Sequence, residues 1–495
     1  MSGRRWRQPA AVFGAALALF ALTAGGSLTS SDAVTTFALT ASLVERHSIA
    51  IDAAGGSVDP SPGRDGRLYS RYGIGQSLYN IPFYLAGKAA IRALGRPIGR
   101  PDSIPKAAVA LGSAVAAAGC VLVVWLLARR LGATPSAAIA AALSAAIASP
   151  LWPYSKFGFA TALTGLVLLV AAWLLADREP GRQVRSAALA GLVLAFGWLM
   201  RHEMAIALVP FGIYLYLAGG PSRWPRVCAL VACASVGGLL WAWYNVVRFG
   251  HPLAVGYAPE FNGVGYLAFL VSPSGSLLLF APIAIIWFWG LFAPGASTTA
   301  ERVLLVGPLV VSYLFYGALA DWPGGRSYGP RYLVPALLLL APGAAMLWPR
   351  GLRWRRLIAA AIAAGALLQL PGVLVDYSKV SVDWARTATP DQIAHRTWTL
   401  AASPFVLGTQ AAWTEVPRNI AYLTGREPLP RVTPSAGDRD FAQQFAFSLD
   451  FWWLYLVYLR AFSVPAALIL AATLAAAAAA CAAIASRESG DRAIG

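Results

Sequence analysis

The chain has 495 residues, 58% of them hydrophobic and only 12% charged, with a positive mean hydropathy. That leaves too little polar surface for a soluble globule and reads as a polytopic membrane protein. The net charge of +17 comes mostly from arginine, since Lys88, Lys106, Lys156 and Lys379 are the four lysines among 39 basic residues; spread over span ends and loops, this excess points to membrane orientation and phosphate chemistry, with no nucleic-acid partner.

In chain order, a basic start leads into an apolar run over 10–28. With no small-x-small cleavage site ahead of a soluble domain, it reads as a first span. From Asp32 onward, Val34, Phe37, Ala41 and Val44 recur at intervals of three and four, while Thr36, Thr40 and Glu45 lie off that stripe. Ser30 or Ser31 serves as N-cap, which places Asp32 in the first turn, where the helix dipole favours an anion. The helix is too short and too weakly apolar to span and is expected to lie in the membrane interface. A Gly/Pro/Asp-rich crossing then leads to a second interfacial helix in "QSLYNIPFYLAGKAAIRAL".

Further spans follow at 106–128, 134–150, 157–176, 186–200, 204–218, 226–247, 273–293, 302–320, 331–348, 356–375 and 464–485, about twelve in all counting the first. With both termini cytoplasmic, Arg129 and Arg130, the loop 177–185, the loop 222–226 and the loop 349–356 all fall on the cytoplasmic side, as the positive-inside rule requires. The external side receives 28–105 and 376–463. The chain thus divides into a transmembrane module over 1–375 that includes the first external loop 28–105, an external segment 376–463, and a last span with its tail over 464–495. In the external segment, Trp452 and Trp453 read as headgroup anchors.

Phosphate partners are expected among basic residues near the external surface: Arg71 beside Tyr72 in "YSRYG", Lys156 in "YSKFG", Arg201 in "LMRHE", and Arg326 and Arg331, with Tyr328 between them, in "GGRSYGPRYL". For a single arginine near a span end, snorkelling to headgroups is the plainer reading. Arg326 and Arg331 stand above it, because Gly324, Gly325 and Gly329 give their backbone close access to a ligand. Arg201 and Glu203 read as a self-satisfying pair. His47, His202, His251 and His395 are isolated, and Cys120, Cys228, Cys233 and Cys481 sit in apolar segments without CxxC spacing, so no metal-ligand set emerges. No P-loop, dinucleotide fingerprint or Ser-His-Asp signature is present.

The motifs "SDAVTTFALTASLVERHSIA", "YSRYGIGQSLYNIPFYLAG", "WYNVVRFGHPLAVGY", "SPSGSLLLFAPIAI" and "DWPGGRSYGPRYLVPAL", in that order over about residues 10–350, resemble the GT-C superfamily of membrane glycosyltransferases, nearest to its family 39 and aminoarabinose-transferase types. The resemblance implies an all-α fold and a bacterial plasma-membrane location. It also implies transfer of a sugar from a polyprenyl-phosphate carrier to an envelope glycan, lipid or protein acceptor on the external face, with membrane lipids around it. It gives Asp32 the part of general base, and Arg71, Tyr72, Lys156, Arg201, Arg326, Tyr328 and Arg331 that of substrate binding. Ala33 stands where many relatives carry a second acid and Thr161 near the place of another, so a divalent metal ion is left open as cofactor. The alternative is a non-catalytic transporter or binding protein for lipid-linked substrates on the same helices.

Overall fold

The computed structural model describes residues 3–51, 58–98, 100–179, 181–220, 222–256, 259–428 and 449–490. Helix α1 (Gly3–Leu22) carries the first apolar run and stops short of the expected 28. The reason is a close approach: a Cβ on Gly26 would lie 2.2 Å from the Tyr455 ring, and one on Gly25 2.6 Å from the Asp450 carboxylate.

The first long loop, 28–105, forms α2 (Ser31–Glu45), an antiparallel pair β1 (Pro60–Pro62) and β2 (Leu68–Ser70), and α3 (Gly75–Leu94). The stripe on α2 packs against protein, Val34 and Phe37 meeting Leu28, Tyr84, Val109 and Ala110. Its other side is covered too. Thr40 donates to the Ser77 carbonyl at 3.2 Å and Ser77 donates to that of Thr36 at 3.0 Å, so the polar threonines fasten α2 to α3. The hairpin escapes a periodicity reading, because three-residue strands are too short to alternate.

Helices α4 (Ser103–Arg130), α5 (Pro135–Ile147), α6 (Leu151–Tyr154), α7 (Ala160–Leu175), α8 (Gln183–Met200), α9 (Leu208–Leu217) and α10 (Arg223–Phe249) follow. Then come α11 (Val264–Val271), α12 (Leu277–Phe280), α13 (Ile283–Phe292), α14 (Thr299–Ala318), α15 (Val334–Leu337), α16 (Pro342–Leu347) and α17 (Leu352–Leu374). The external segment adds α18 (Tyr377–Thr387), α19 (Pro390–Ala394), α20 (Pro404–Leu423) and α21 (Trp452–Tyr458), before α22 (Val464–Gly490).

Six helices among the described residues are long and apolar enough to cross a bilayer, and six shorter apolar helices fall at the other expected places. Proline explains much of the shortening. Pro282 separates α12 from α13, and Pro335, Pro342 and Pro349 punctuate 334–350. Between α8 and α9 the backbone of Arg201 is extended (φ −144°, ψ 115°), which breaks the helix at a charged residue.

Chain direction sorts the molecule into two ends. Helix α7 runs from Ala160 to Leu175, α8 returns to Met200, and α14 runs from Thr299, near Arg178, to Ala318. The ends of α1, α8, α10, α14 and α17 therefore gather with the first loop and the external segment. Opposite them lie Arg130, bonded to the Trp173 carbonyl, Gln183 bonded to Ser222, and Arg350 bonded to the Pro294 carbonyl.

Candidate functional site

A cavity of about 420 Å³ opens where these helix ends meet the first loop. Asp32 reaches it from the first turn of α2, whose start is fixed by Ser30 accepting from the Ala33 N–H at 3.2 Å. One Asp32 oxygen accepts from the Tyr72 hydroxyl at 2.8 Å and the other from Arg331 Nη1 at 2.9 Å. Burial works to raise the Asp32 pKa, but the Arg331 charge, the Tyr72 hydrogen bond and the Arg201 charge together hold it below the ordinary carboxylate value. At neutral pH the group is ionised.

Hairpin register delivers Tyr72. Pro60 pairs with Ser70, which sets Asp59 and Arg71 opposite each other one residue beyond, and they join in an ion pair at 2.8 Å. Asp59 N–H donates to Thr35 Oγ1 at 2.8 Å and ties the hairpin to α2. From α10, the fully buried Arg248 bonds the Ser70 carbonyl, the Tyr72 carbonyl at 3.3 Å and Asn245 at 2.6 Å. The role of "WYNVVRF" is thus to hold the strand exit from which Tyr72 projects.

Arg201 enters from the break after α8. Its guanidinium lies 4.7 Å from the Tyr332 ring centroid and 5.7 Å from that of Tyr316, two rings that stack at 4.5 Å, and 3.5 Å from Glu203. Arg331 stacks on Phe159 at 4.9 Å. Its Nε is buried without a hydrogen-bond partner. Gly324, at φ +66° and lining the cavity, explains the space beside that atom: a Cβ there would sit 3.0 Å from Nε. A buried donor without a partner in the wall of a cavity has the form of a ligand contact.

The structure thus gathers Asp32, Arg71, Tyr72, Arg201 and Arg331 around one cavity. Three other expected residues lie outside it. Arg326 lines a neighbouring crevice. Lys156 is fully buried, bonded to the Val373 carbonyl and 3.9 Å from Asp450; burial pushes its pKa down to about 8. Tyr328 is a core residue, its hydroxyl donating to the Leu368 carbonyl at 2.6 Å and its ring packed on Phe280. Trp452 and Trp453 depart from the headgroup-anchor reading: their indole N–H groups donate to the carbonyls of Ala21 and Leu22, at 2.8 and 2.9 Å, and cap α1.

Residues 103–243 match the family model of the dolichyl-phosphate-mannose-protein mannosyltransferases. Two solved structures of ArnT from Cupriavidus metallidurans superpose on 90% of this chain and 86% of theirs, each with a TM-score of 0.50. One, bound to undecaprenyl phosphate, is 14% identical, and the other, in the apo state, 15%. No curated protein sequence matches the chain. The chain has the fold of the GT-C membrane glycosyltransferases.

Within this GT-C fold, several residues in or behind the cavity carried no legible signal in sequence. Asp59 sits in a Pro/Ser stretch, and Asp321, which accepts from the Tyr332 hydroxyl at 3.3 Å, looks like an ordinary loop acid. Arg248 resembles a span-end cation; its consecutive "NVVR" spacing to Asn245 was the available hint. Among the described residues no three His, Cys, Asp or Glu side chains group as a metal would require. Of the carboxylates that line the cavity, Asp32, Asp59 and Glu203 each lie within ion-pair distance of an arginine.

Proposed function

We propose that this protein transfers a sugar from a polyprenyl-phosphate carrier to an acceptor at the Asp32–Arg331 cavity, on the external face of the plasma membrane. The observation that carries the reading is the carboxylate of Asp32 held by Arg331 and Tyr72, beside an arginine Nε with no partner, in a cavity just beyond the first apolar helix. A carrier phosphate would take the spare Nε donor of Arg331, with Arg201 and Arg71 adding charge, while its tail remains among the apolar helices. Phosphate binding weakens the hold of Arg331 on Asp32. The carboxylate then becomes a better base for the acceptor hydroxyl as the new glycosidic bond forms and the carrier phosphate departs.

The Asp32–Arg331 pair also favours a second reading, in which the cavity binds lipid-linked sugars without transfer. Binding of undecaprenyl phosphate to the full chain in nanodiscs tests what the two readings share. The carrier is expected to raise the melting temperature, and Arg331→Lys to abolish most of that rise although charge is kept, because the guanidinium fork is lost. A wild-type protein that the carrier does not stabilise would sink both. Envelope glycans compared by mass spectrometry with and without the gene decide between them.

A further inference from the structure

Gly325 faces two spaces. One is the Asp32–Arg331 cavity; the other is a crevice of about 50 Å³ lined by Arg326 and Arg396, with Trp384 as one wall and Pro323 as another. The crevice is framed by a fixed backbone. Ser381 donates to the Tyr377 carbonyl at 2.8 Å, Ser327 to that of Pro323 at 2.6 Å, Ser274 to that of Arg396 at 3.3 Å and Ser403 to that of Pro273 at 2.6 Å. Those hydroxyl protons serve the frame, and the last two bonds hold 273–274 to 396–403.

Within this frame two like charges share a small space. Neither Arg326 nor Arg396 has a carboxylate within ion-pair distance among the described residues, whereas Arg386 nearby meets Asp383 at 3.4 Å. Burial, then the charges of Arg396 and Arg386, depress the Arg326 pKa, so the Arg396 charge is felt at the Arg326 guanidinium. Bringing guanidinium groups together without a counter-charge is unfavourable, and a serine-braced frame that does so fits a site awaiting one.

We infer that this crevice is an oxyanion pocket in which Arg326 and Arg396 take a phosphate or carboxylate group against the face of Trp384. Size sets the limit. A volume of about 50 Å³ is several times the roughly 10–15 Å³ that a single water needs and a small fraction of the neighbouring 420 Å³ cavity, which suits a terminal anionic group rather than a sugar ring. Arginine forks match such oxygens in pairs. The group comes either from a soluble ligand or from an anionic lipid headgroup, and the chemistry is common to both.

The test uses the full chain in phosphatidylcholine nanodiscs, with phenylglyoxal modification of each arginine followed by mass spectrometry. Inorganic phosphate, or replacement of part of the lipid by phosphatidylglycerol, is expected to slow modification of Arg326 and Arg396 several-fold relative to the exposed Arg67. Protection by free phosphate identifies a soluble oxyanion; protection by phosphatidylglycerol alone identifies a headgroup. Arg326→Ala should remove the protection of Arg396. Protection by neither, equal protection at Arg67, or protection of Arg396 that survives Arg326→Ala would overturn the pocket. The carrier reading is judged separately in the same samples, through protection of Arg201 by undecaprenyl phosphate, so either proposal can fail without the other.

Discussion

Asp32 and Arg331 stand 299 residues apart in sequence and 2.9 Å apart in the fold, and that pairing changes what a substitution at Asp32 does. In the base role proposed above, Asp32 would be worth about a hundred- to ten-thousand-fold in rate; as the counter-charge of a buried arginine it also stabilises the fold. Removing one partner of a fully buried pair costs about 3–5 kcal/mol, and the 30% exposure of the Asp32 side chain brings the cost below that range. Asp32→Asn is therefore expected to lower both transfer and melting temperature, and Asp32→Asn with Arg331→Met to recover melting temperature but not transfer. Recovered transfer in the double variant would remove Asp32 from catalysis. A second residue supplies a pH test. Burial, with the Asp450 charge, pushes the Asp376 carboxyl up to about 7 from its ordinary 3.8. The native state thus binds the extra proton between those values, and the contribution of this group to stability is full below about 4 and lost as pH rises through 7. Asp376→Asn keeps an acceptor for the Ser378 and Lys379 N–H groups at 3.0 Å and should flatten that slope in thermal unfolding from pH 5 to 8; an unchanged slope would refute the assignment. Asp32 and Arg331 were legible because one opens a helix just outside an apolar run and the other sits among glycines. Lys156 and Tyr328 shared those surroundings yet turn into the core, since which way a side chain faces at a helix end depends on what packs behind it.

At the scale of elements, close helix contacts hold the cavity wall in place. A Cβ on Gly237 of α10 would stand 2.3 Å from the Ala195 carbonyl of α8, and one on Gly191 of α8 would stand 2.5 Å from that of Leu230. Small residues let such helices meet backbone to backbone where lipid gives no hydrophobic drive for association. Because α8 ends at Met200, beside Arg201, its position against α10 also sets that arginine in the cavity. Gly237→Ala must push the helices apart, an overpacking that costs about 1–3 kcal/mol. Gly212→Ala on α9, where nothing lies within 4 Å, should be neutral or stabilising. Equal melting temperatures for the two variants would show that the α8–α10 contact bears little of the stability. Apolar runs in the sequence marked the places of these helices through hydropathy. The break at Arg201 showed as the charged gap between 200 and 204, but the break at Pro282 inside 273–293 and the hairpin that presents Tyr72 were not legible, because the first needs knowledge of what receives the freed backbone groups and the second is built from two strands of three residues.

The whole molecule has two ends of different chemistry. Arg7 near the start of α1, Arg129 and Arg130 at the end of α4, Arg223 and Arg226 at the start of α10, and Arg353, Arg355 and Arg356 at the start of α17 share one end, and the 420 Å³ cavity lies at the other. Helices of 27 and 28 residues join the two, which at about 1.5 Å per residue spans the roughly 30 Å apolar core of a bilayer. On the proposed reading, the positive-inside bias would put the basic end in the cytoplasm and the cavity outside, where a carrier-linked sugar would meet an acceptor. Single cysteines in a background with Cys120, Cys228, Cys233 and Cys481 replaced test this orientation. Arg182→Cys, at a side chain 67% exposed on the basic end, should resist a membrane-impermeant maleimide in intact cells and react once they are opened. Arg67→Cys, 71% exposed on the hairpin beside the cavity, should react in intact cells. The opposite pattern would turn the molecule over, put Asp32 and Arg331 on the cytoplasmic side, and rule out transfer to an external acceptor whatever the chemistry of the cavity.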